Sequence, residues 1–248
     1  MTALCIKTKC RKGFATRSLR IKLFNIPVYY EIDGYELNNF RRIFSGLISE
    51  DAKIDTIDDS FEVPFELQSW ACNEIPEDSV AVFVGASIEE RRLTHEQITG
   101  IVRFILEKNI HVILLGGKDV MTSSRVVIDD VDDRRVHNYV GGISLLESAA
   151  LIQKSRLFVG TDSGLMHLAG AVGTPVVGIF GPGNKTKWGT RGAQHVNCYL
   201  NVECSPCTTF GYTISTCRGR YQCMRGIQML VFYSAIEQQL LRKGHETS

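Results

Sequence analysis

Long apolar runs are missing from this chain of 248 residues. Apolar runs such as 80–84 and 112–115 fall far short of the roughly 20 apolar residues that a membrane-spanning helix needs. The first residues are basic but hold no apolar stretch of about 7–15 residues before a small-residue cleavage site, so no secretory signal is predicted. We therefore expect a cytoplasmic protein.

An excess of either charge is missing as well. The 28 Lys and Arg side chains balance 27 Asp and Glu for a net charge of +1, and neither sign collects into a long block. Bulk charge therefore predicts no nucleic-acid partner, and an anionic ligand has to be bound by local groups. The eight cysteines are too few for a disulfide scaffold. In a reducing compartment, clustered cysteines bind metal or remain thiols.

Residues 80–180 alternate short apolar runs with amphipathic helical patterns, which is the order that builds a parallel sheet covered by helices. The predicted strands are 80–84, 110–115, 136–140, 157–159 and 176–180. Helices are predicted around 98–106, at 144–154 and at 227–243. Ser144 and Glu147 have the spacing of a capping box, so we interpret Glu147 as a cap and not as a catalytic acid.

Residues 1–75 differ from the rest of the chain, being basic at first and then acidic, with breaks at Pro27 and Pro64. We interpret them as a partial domain that ends in a linker at about 60–76. Residues 76–248 then form the α/β domain, which includes a Cys-rich loop and a last helix.

The most informative segment is the Gly-Thr-Asp-Ser-Gly turn that follows the strand at 157–159. Such a turn lies at the carboxyl edge of a parallel sheet, where free N–H groups at a helix start bind phosphate. Thr161 and Ser163 offer hydroxyls, Gly164 allows close approach, and His167 lies one turn further on. Asp162 would repel a pyrophosphate and is better suited to a sugar hydroxyl. The alternative is that Asp162 or Ser163 is only an N-cap and that His167 is a satisfied, partly buried histidine.

Two other turns end strands of the same predicted sheet. After residue 84, Ser87 supplies a hydroxyl, and Arg91 or Arg92 can bring positive charge to the edge that holds the 160s turn. Solvation at the surface is the alternative for both arginines. A Gly-Gly turn precedes Asp119, but such turns are common and give a weak signal.

Four cysteines follow in the pattern C-x2-C-x9-C-x5-C, and they are Cys204, Cys207, Cys217 and Cys223. Four thiolates at this spacing suit tetrahedral Zn or Fe, and such a site would be structural because no coordination position stays open. Free thiols, or disulfides formed on oxidation, are the alternatives.

These segments together resemble one family. The motifs GAS-x-x-x-R-R-L, GG-x-D, GTDSGLMHLAGAVGTPVVGIFGP and C-S-P-C are similar to those of the bacterial ADP-heptose:lipopolysaccharide heptosyltransferases, glycosyltransferase family nine. The resemblance implies an α/β fold of GT-B type. The donor-binding Rossmann-like domain with its parallel sheet would occupy 76–248, and 1–75 would be the remnant of a second, acceptor-side domain.

The resemblance also implies roles for the residues named above. The amides and hydroxyls of 161–164 would hold the donor diphosphate, Asp162 would contact the heptose, and His167 would support the loop or a phosphate. Arg91 stands where the family usually has a phosphate-binding lysine. Ser87 and Asp119 complete the donor-binding set, Asp119 being the nearest match for a ribose contact.

The implied activity is inverting transfer of heptose, or a related sugar, from an ADP-sugar to a lipopolysaccharide core acceptor. It requires no cofactor for the chemistry, and it would take place at the inner membrane, which the protein would contact peripherally. We identify no general base. One alternative is a non-catalytic or split nucleotide-sugar-binding half that needs a partner chain to supply the N-terminal domain. Another is that the Cys-rich tail is a small metal or interaction module.

Overall fold

The computed structural model describes residues 10–14, 24–45, 60–86, 88–209, 212–213, 217 and 220–242. The chain divides into two compact units. The smaller consists of Met1–Asp59 and Thr186–Trp188, and the larger of Ser60–Lys185 and Gly189–Ser248. No helix in the described ranges is both long and apolar enough to span a bilayer.

A six-stranded sheet forms the centre of the larger unit, with all strands parallel in the order β5-β4-β3-β6-β7-β8. Its strands are β3 (Ser79–Phe83), β4 (His111–Leu115), β5 (Val136–Asn138), β6 (Leu157–Thr161), β7 (Val176–Phe180) and β8 (His195–Tyr199). The helices of the described chain here are α2 (Phe65–Glu74), α3 (His95–Glu107), α4 (Met121–Val131), α5 (Leu145–Lys154), α6 (Gly164–Ala171), α8 (Gln222–Arg225) and α9 (Met229–Arg242). Two short strands, β9 (Thr208–Thr209) and β10 (Tyr212–Thr213), pair antiparallel in the Cys-rich loop.

The predicted parallel α/β fold is confirmed, and the reason is visible in the burial of the strands. Strands β6 and β7 are buried at every position, as expected for a sheet covered on both faces. Helix α3 turns Ile101 and Ile105 onto the sheet, where both are fully buried. The predicted capping box of Ser144 and Glu147 is present at the start of α5, so Glu147 is a cap.

Two elements differ from the sequence prediction. Strand β8 is not among the predicted strands, because at the edge of the sheet it is only partly buried and reads His-Val-Asn-Cys-Tyr, without a continuous apolar run. The predicted linker at 60–76 contains helix α2, which packs against α5. Its large apolar side chains do not form one stripe, and Phe65 is exposed, so periodicity gave no signal.

The smaller unit has a two-stranded parallel sheet, β1 (Lys12–Phe14) with β2 (Ile26–Val28), followed by helix α1 (Glu36–Phe44). The short helix α7 (Lys185–Trp188) contributes its last three residues to this unit. The identification of 1–75 with the remnant of an acceptor-side domain stays a prediction.

A buried polar cluster lies within the smaller unit. The Lys187 ammonium donates to the Tyr30 hydroxyl at 2.8 Å and to the Ile32 carbonyl at 2.9 Å, and it lies 3.3 Å from the Glu36 carboxylate. Tyr30 and Asn39 also donate to that carboxylate. Burial acts to lower the pKa of Lys187, but the hydrogen bond with Tyr30 and the charge of Glu36 outweigh it, so its pKa is raised. The cluster therefore holds Lys187 in its charged form.

Replacing Lys187 by Met should destabilise the smaller unit by about 3–5 kcal/mol, because it leaves the Glu36 carboxylate buried without its cation. Hydrogen exchange read by mass spectrometry should show faster exchange in α1, with α3 of the larger unit as the internal control. The double variant Lys187→Met/Glu36→Leu should recover part of the loss. Unchanged exchange in α1 of the single variant would contradict this account.

Candidate functional site

The carboxyl ends of β3, β6 and β7 bring three turns together at one edge of the sheet, which is where open α/β sheets bind ligands. The turns follow residues 83, 161 and 180. The Thr161 hydroxyl, itself buried, donates to the Gly85 carbonyl at 3.1 Å and thereby joins the first two turns. That hydroxyl is thus engaged within the protein.

Asp162 is the buried acid of this edge, with 5% of its surface exposed. Its N–H donates to the Ile179 carbonyl at 3.1 Å, which continues the β6–β7 pairing into the turn. One carboxylate oxygen, Oδ2, lies 3.4 Å from the Arg91 guanidinium, while Oδ1 lies 3.9 Å from His167 Nε2. Within the described residues, Oδ2 accepts no hydrogen bond.

Arg91 reaches the 160s turn, as the sequence predicted for one of the two arginines. It ends a 3-10 turn, Glu89–Arg91, and its guanidinium also donates to the Asp162 carbonyl at 3.3 Å. Its Nε is buried and makes no hydrogen bond to any described residue. Arg92 instead pairs with Glu89 at 3.3 Å and does not join the site.

The helix start at α6 has the geometry of an anion site. Ser163 is the N-cap, with its hydroxyl accepting from the Met166 N–H at 3.4 Å, so the capping interpretation of Ser163 is confirmed. Gly164 follows at the first helical position, and a Cβ added there would meet no atom within 4 Å. Open space therefore lies beside Gly164, at the helix end where the first N–H groups lack intrahelical partners and the helix dipole is positive.

Burial dominates the titration of the two ionisable side chains in the turn. It raises the pKa of Asp162, against the opposing charges of Arg91 and His167. It also lowers the pKa of His167, an effect that Asp162 counteracts and Arg91 adds to. At neutral pH His167 is thus a neutral imidazole that can donate from one ring nitrogen and accept at the other.

Gly183 is a site residue that the sequence analysis missed. A Cβ at this position would stand 2.4 Å from Asp162 Oδ2, so the absence of a side chain makes room for the carboxylate. The Gly-Pro-Gly sequence directly after β7 is the signal that could have identified it, because glycine permits such close approach.

Two residues of the predicted donor-binding set remain, Asp119 and Ser87. Asp119 lies exposed on the 3-10 turn Lys118–Val120 after β4, at the same edge of the sheet. Ser87 lies outside the described residues. Their contacts with a donor stay predictions.

The four cysteines of the Cys-rich loop are free thiols in the described residues. Burial, and after it the neighbouring Cys204 and Cys217, raise the pKa of Cys207. Burial first, and then the neighbouring Cys207, Cys217 and Cys204, raise the pKa of Cys223 to about 11. The donor set fits Zn or Fe, because thiolates that repel one another are stabilised by a dication. Yet in the described part of the chain no three Cys, His, Asp or Glu side chains already stand in a metal-binding arrangement.

The family model for glycosyltransferase family 9 (heptosyltransferase) matches residues 1–215. The chain belongs to glycosyltransferase family 9. The predicted resemblance is confirmed, and the parallel α/β sheet is that of a GT-B glycosyltransferase.

Three relatives illustrate how far this family 9 chain matches known proteins. Lipopolysaccharide heptosyltransferase 1 of Pseudomonas aeruginosa is 35% identical over 65 residues, which are 26% of this chain and 18% of that protein. The structure of E. coli ADP-heptose lps heptosyltransferase II matches with a TM-score of 0.73 at 18% identity, covering 95% of this chain and 71% of that one. Iron-containing dodecameric TibC of enterotoxigenic E. coli, solved with ADP-D-beta-D-heptose, gives 0.54 at 16% identity over 68% of this chain and 46% of that one. The chain thus matches only part of its relatives' length.

Asp162→Asn should stabilise the fold of this family 9 protein at pH 7. The folded-state pKa of Asp162 is raised, so its ionised form costs folding free energy above that pKa, and the cost disappears below about pH 4, where the unfolded state is also protonated. Urea unfolding should therefore show a higher midpoint for the variant at pH 7 and a shrinking difference on acidification. Asp129→Asn, on an exposed position of α4, is the matched control, with an expected change below about 0.5 kcal/mol. A less stable Asn variant at pH 7 would contradict the prediction.

Proposed function

We propose that this chain binds an ADP-sugar at the 160s turn and serves in a heptosyltransferase that acts on a lipopolysaccharide core acceptor. The observation that carries the proposal is the unfilled hydrogen-bonding capacity of two buried groups, Asp162 Oδ2 and Arg91 Nε, beside an open helix start. Unpaired buried polar atoms cost free energy, and a ligand that pairs with them recovers it.

The donor diphosphate belongs at the start of α6. The free N–H groups there and the positive end of the helix dipole favour a phosphate, and Gly164 lets it approach the backbone. Arg91 and a neutral His167 add donors on the same side. Because Arg91 already faces Asp162, its positive charge also shields a bound phosphate from that carboxylate.

The sugar belongs beside Asp162. A carboxylate with one oxygen that lacks a hydrogen bond is an acceptor for a sugar hydroxyl. The relatives include an ADP-heptose lps heptosyltransferase and a lipopolysaccharide heptosyltransferase, which supports a heptose, or a related sugar, as the transferred group. Asp119 would contact the ribose and Ser87 the phosphates.

The reaction would be an inverting displacement. The acceptor hydroxyl attacks the anomeric carbon, the bond from that carbon to the phosphate oxygen breaks, and ADP leaves. Charge grows on the departing diphosphate, where the α6 N–H groups and Arg91 stabilise it. The acceptor proton must pass to a general base, and we assign no residue of this chain to that role. The acceptor would be membrane-borne, so the protein would work peripherally at the cytoplasmic face of the inner membrane.

Donor binding is best tested with Gly164→Ala, because alanine is the better helix former and meets open space in the protein alone. Calorimetric titration of the 248-residue parent with ADP-heptose and ADP should show binding, and UDP should bind at least about tenfold more weakly. Gly164→Ala should bind ADP-heptose about tenfold more weakly, a loss of about 1.4 kcal/mol, with an equal or higher unfolding midpoint. Unaltered binding by Gly164→Ala would place the diphosphate elsewhere.

A pair of matched cap variants tests the same binding site. Ser163→Ala removes the α6 cap at the site, and Ser144→Ala removes the corresponding cap of α5. Both should cost about 1 kcal/mol of stability, but only Ser163→Ala should weaken donor binding.

Donor binding without sugar transfer to a core acceptor would favour the alternative of a donor half that works with a partner chain.

We also propose that the four cysteines hold a structural Zn or Fe ion. The neighbouring cysteines help to raise the pKa values of Cys207 and Cys223, which supports this, as does the iron that the related TibC contains. A bound ion would supply the positive charge that the thiolates lack and would cross-link the loop, with no part in the displacement.

Elemental analysis should find about one Zn or Fe per parent chain and a substoichiometric amount in Cys204→Ser. Cys72→Ser, an exposed thiol on α2, is the control and should retain the parent's metal. Stoichiometric metal in Cys204→Ser, or its absence from the parent, would count against the site. The absence from both would also count against the interpretation of this tail as a metal module.

A further inference from the structure

The Cys-rich loop is hydrogen-bonded to the turn that follows β7. We use the name cysteine segment for the described part of residues 204–227. The Ser205 hydroxyl donates to the Gly181 carbonyl at 2.6 Å, and the N–H groups of Cys207 and Thr208 both donate to the Pro182 carbonyl at 3.0 Å. Two successive carbonyls of the turn are therefore bound by the cysteine segment.

The other end of the cysteine segment packs on the same turn. A Cβ at Gly181 would stand 2.3 Å from Met224 Cγ and 3.4 Å from Cys223 Sγ, so the turn backbone lies directly on these side chains. Met224 is fully buried, and its carbonyl accepts from the Gln97 side chain of α3 at 3.1 Å. Because α3 is part of the core, its hydrogen bond to Met224 supports the contact between Met224 and Gly181.

The cysteine segment also reaches the second turn around Asp162. Arg225 lies 3.7 Å from Glu89, in the same 3-10 turn as Arg91. The Gly183 backbone and the Arg91 guanidinium, which both lie beside the Asp162 carboxylate, thus belong to turns that the cysteine segment touches.

We propose that the cysteine segment is a positioning element of the donor site, and that Ser205 is the residue through which it fixes residues 181–183 against Asp162. This deepens the proposed function and rests on it. Gly183 follows Pro182 directly, so a turn held at both preceding carbonyls has little freedom to move its backbone away from the Asp162 carboxylate. Donor affinity then depends on the order of the cysteine segment, and the donor in turn orders that segment, because coupling between two sites is reciprocal.

Ser205→Ala tests the positioning role. It removes one partly buried hydrogen bond and should weaken ADP-heptose binding about five- to tenfold in calorimetric titration. Ser205→Thr keeps the hydroxyl and should restore binding. Ser234→Ala, an exposed serine on α9, is the matched control and should bind as the parent does. Binding by Ser205→Ala equal to the parent's would overturn the inference.

A measurement on the parent chain covers the case in which Ser205→Ala does not fold. Amide hydrogen exchange, read by mass spectrometry, should be at least about threefold slower at Cys207 and Thr208, whose N–H groups donate to the Pro182 carbonyl, with saturating ADP-heptose than without it, as expected from reciprocal coupling. Helix α2 is the internal reference and should exchange at the same rate in both conditions. Equal exchange at Cys207 and Thr208 with and without bound donor overturns the inference alone. Absence of donor binding by the parent overturns the proposed function and the inference with it.

Discussion

The burial of the Asp162 carboxylate is the constraint on which this edge of the molecule depends. A charged group taken out of water needs partners, and within the described residues Asp162 has one close cation, Arg91. That need explains why a 3-10 turn brings an arginine to a residue 71 positions later in the chain. It also explains why the backbone at Gly183 has no side chain, since any Cβ would occupy the place of the carboxylate.

The parallel sheet sets these groups in place before any ligand arrives. Its strands were largely predictable, because strands covered on both faces consist of continuous apolar residues and their helices show amphipathic stripes. The prediction missed β8, which lies at the edge and is only partly buried. It also treated α2 as a linker, although α2 is held by packing on α5 and not by a stripe of its own. Both errors have one cause: tertiary contacts, and not local periodicity, determine these two elements.

The same distinction between local sequence patterns and tertiary contacts applies to the residues of the candidate site. Local turn chemistry and the family resemblance pointed to Asp162, Ser163 and Arg91, which the structure brings together. Ser205 carries no such local signal, and the Gly-Pro-Gly sequence around Gly183 does not show which group approaches it, because each of these residues matters through an atom far away in the sequence. The Ser205 hydroxyl, for example, is a donor to a carbonyl 24 residues earlier. Sequence patterns identify groups that a ligand can use, whereas the contacts that hold those groups in position require coordinates.

In the described part of the chain, two buried ion pairs are built in opposite ways. Around Lys187 and Glu36, hydrogen bonds from Tyr30 and Asn39 complete the pair, and the pKa of Lys187 is raised, so the surroundings favour the charged form. Around Asp162 and Arg91 the network is incomplete, and burial raises the pKa of Asp162, so the surroundings disfavour the charged form. A complete network contributes stability by itself. An incomplete one beside an open helix start lowers stability until a ligand completes it, which is the expected balance between stability and binding at a functional site.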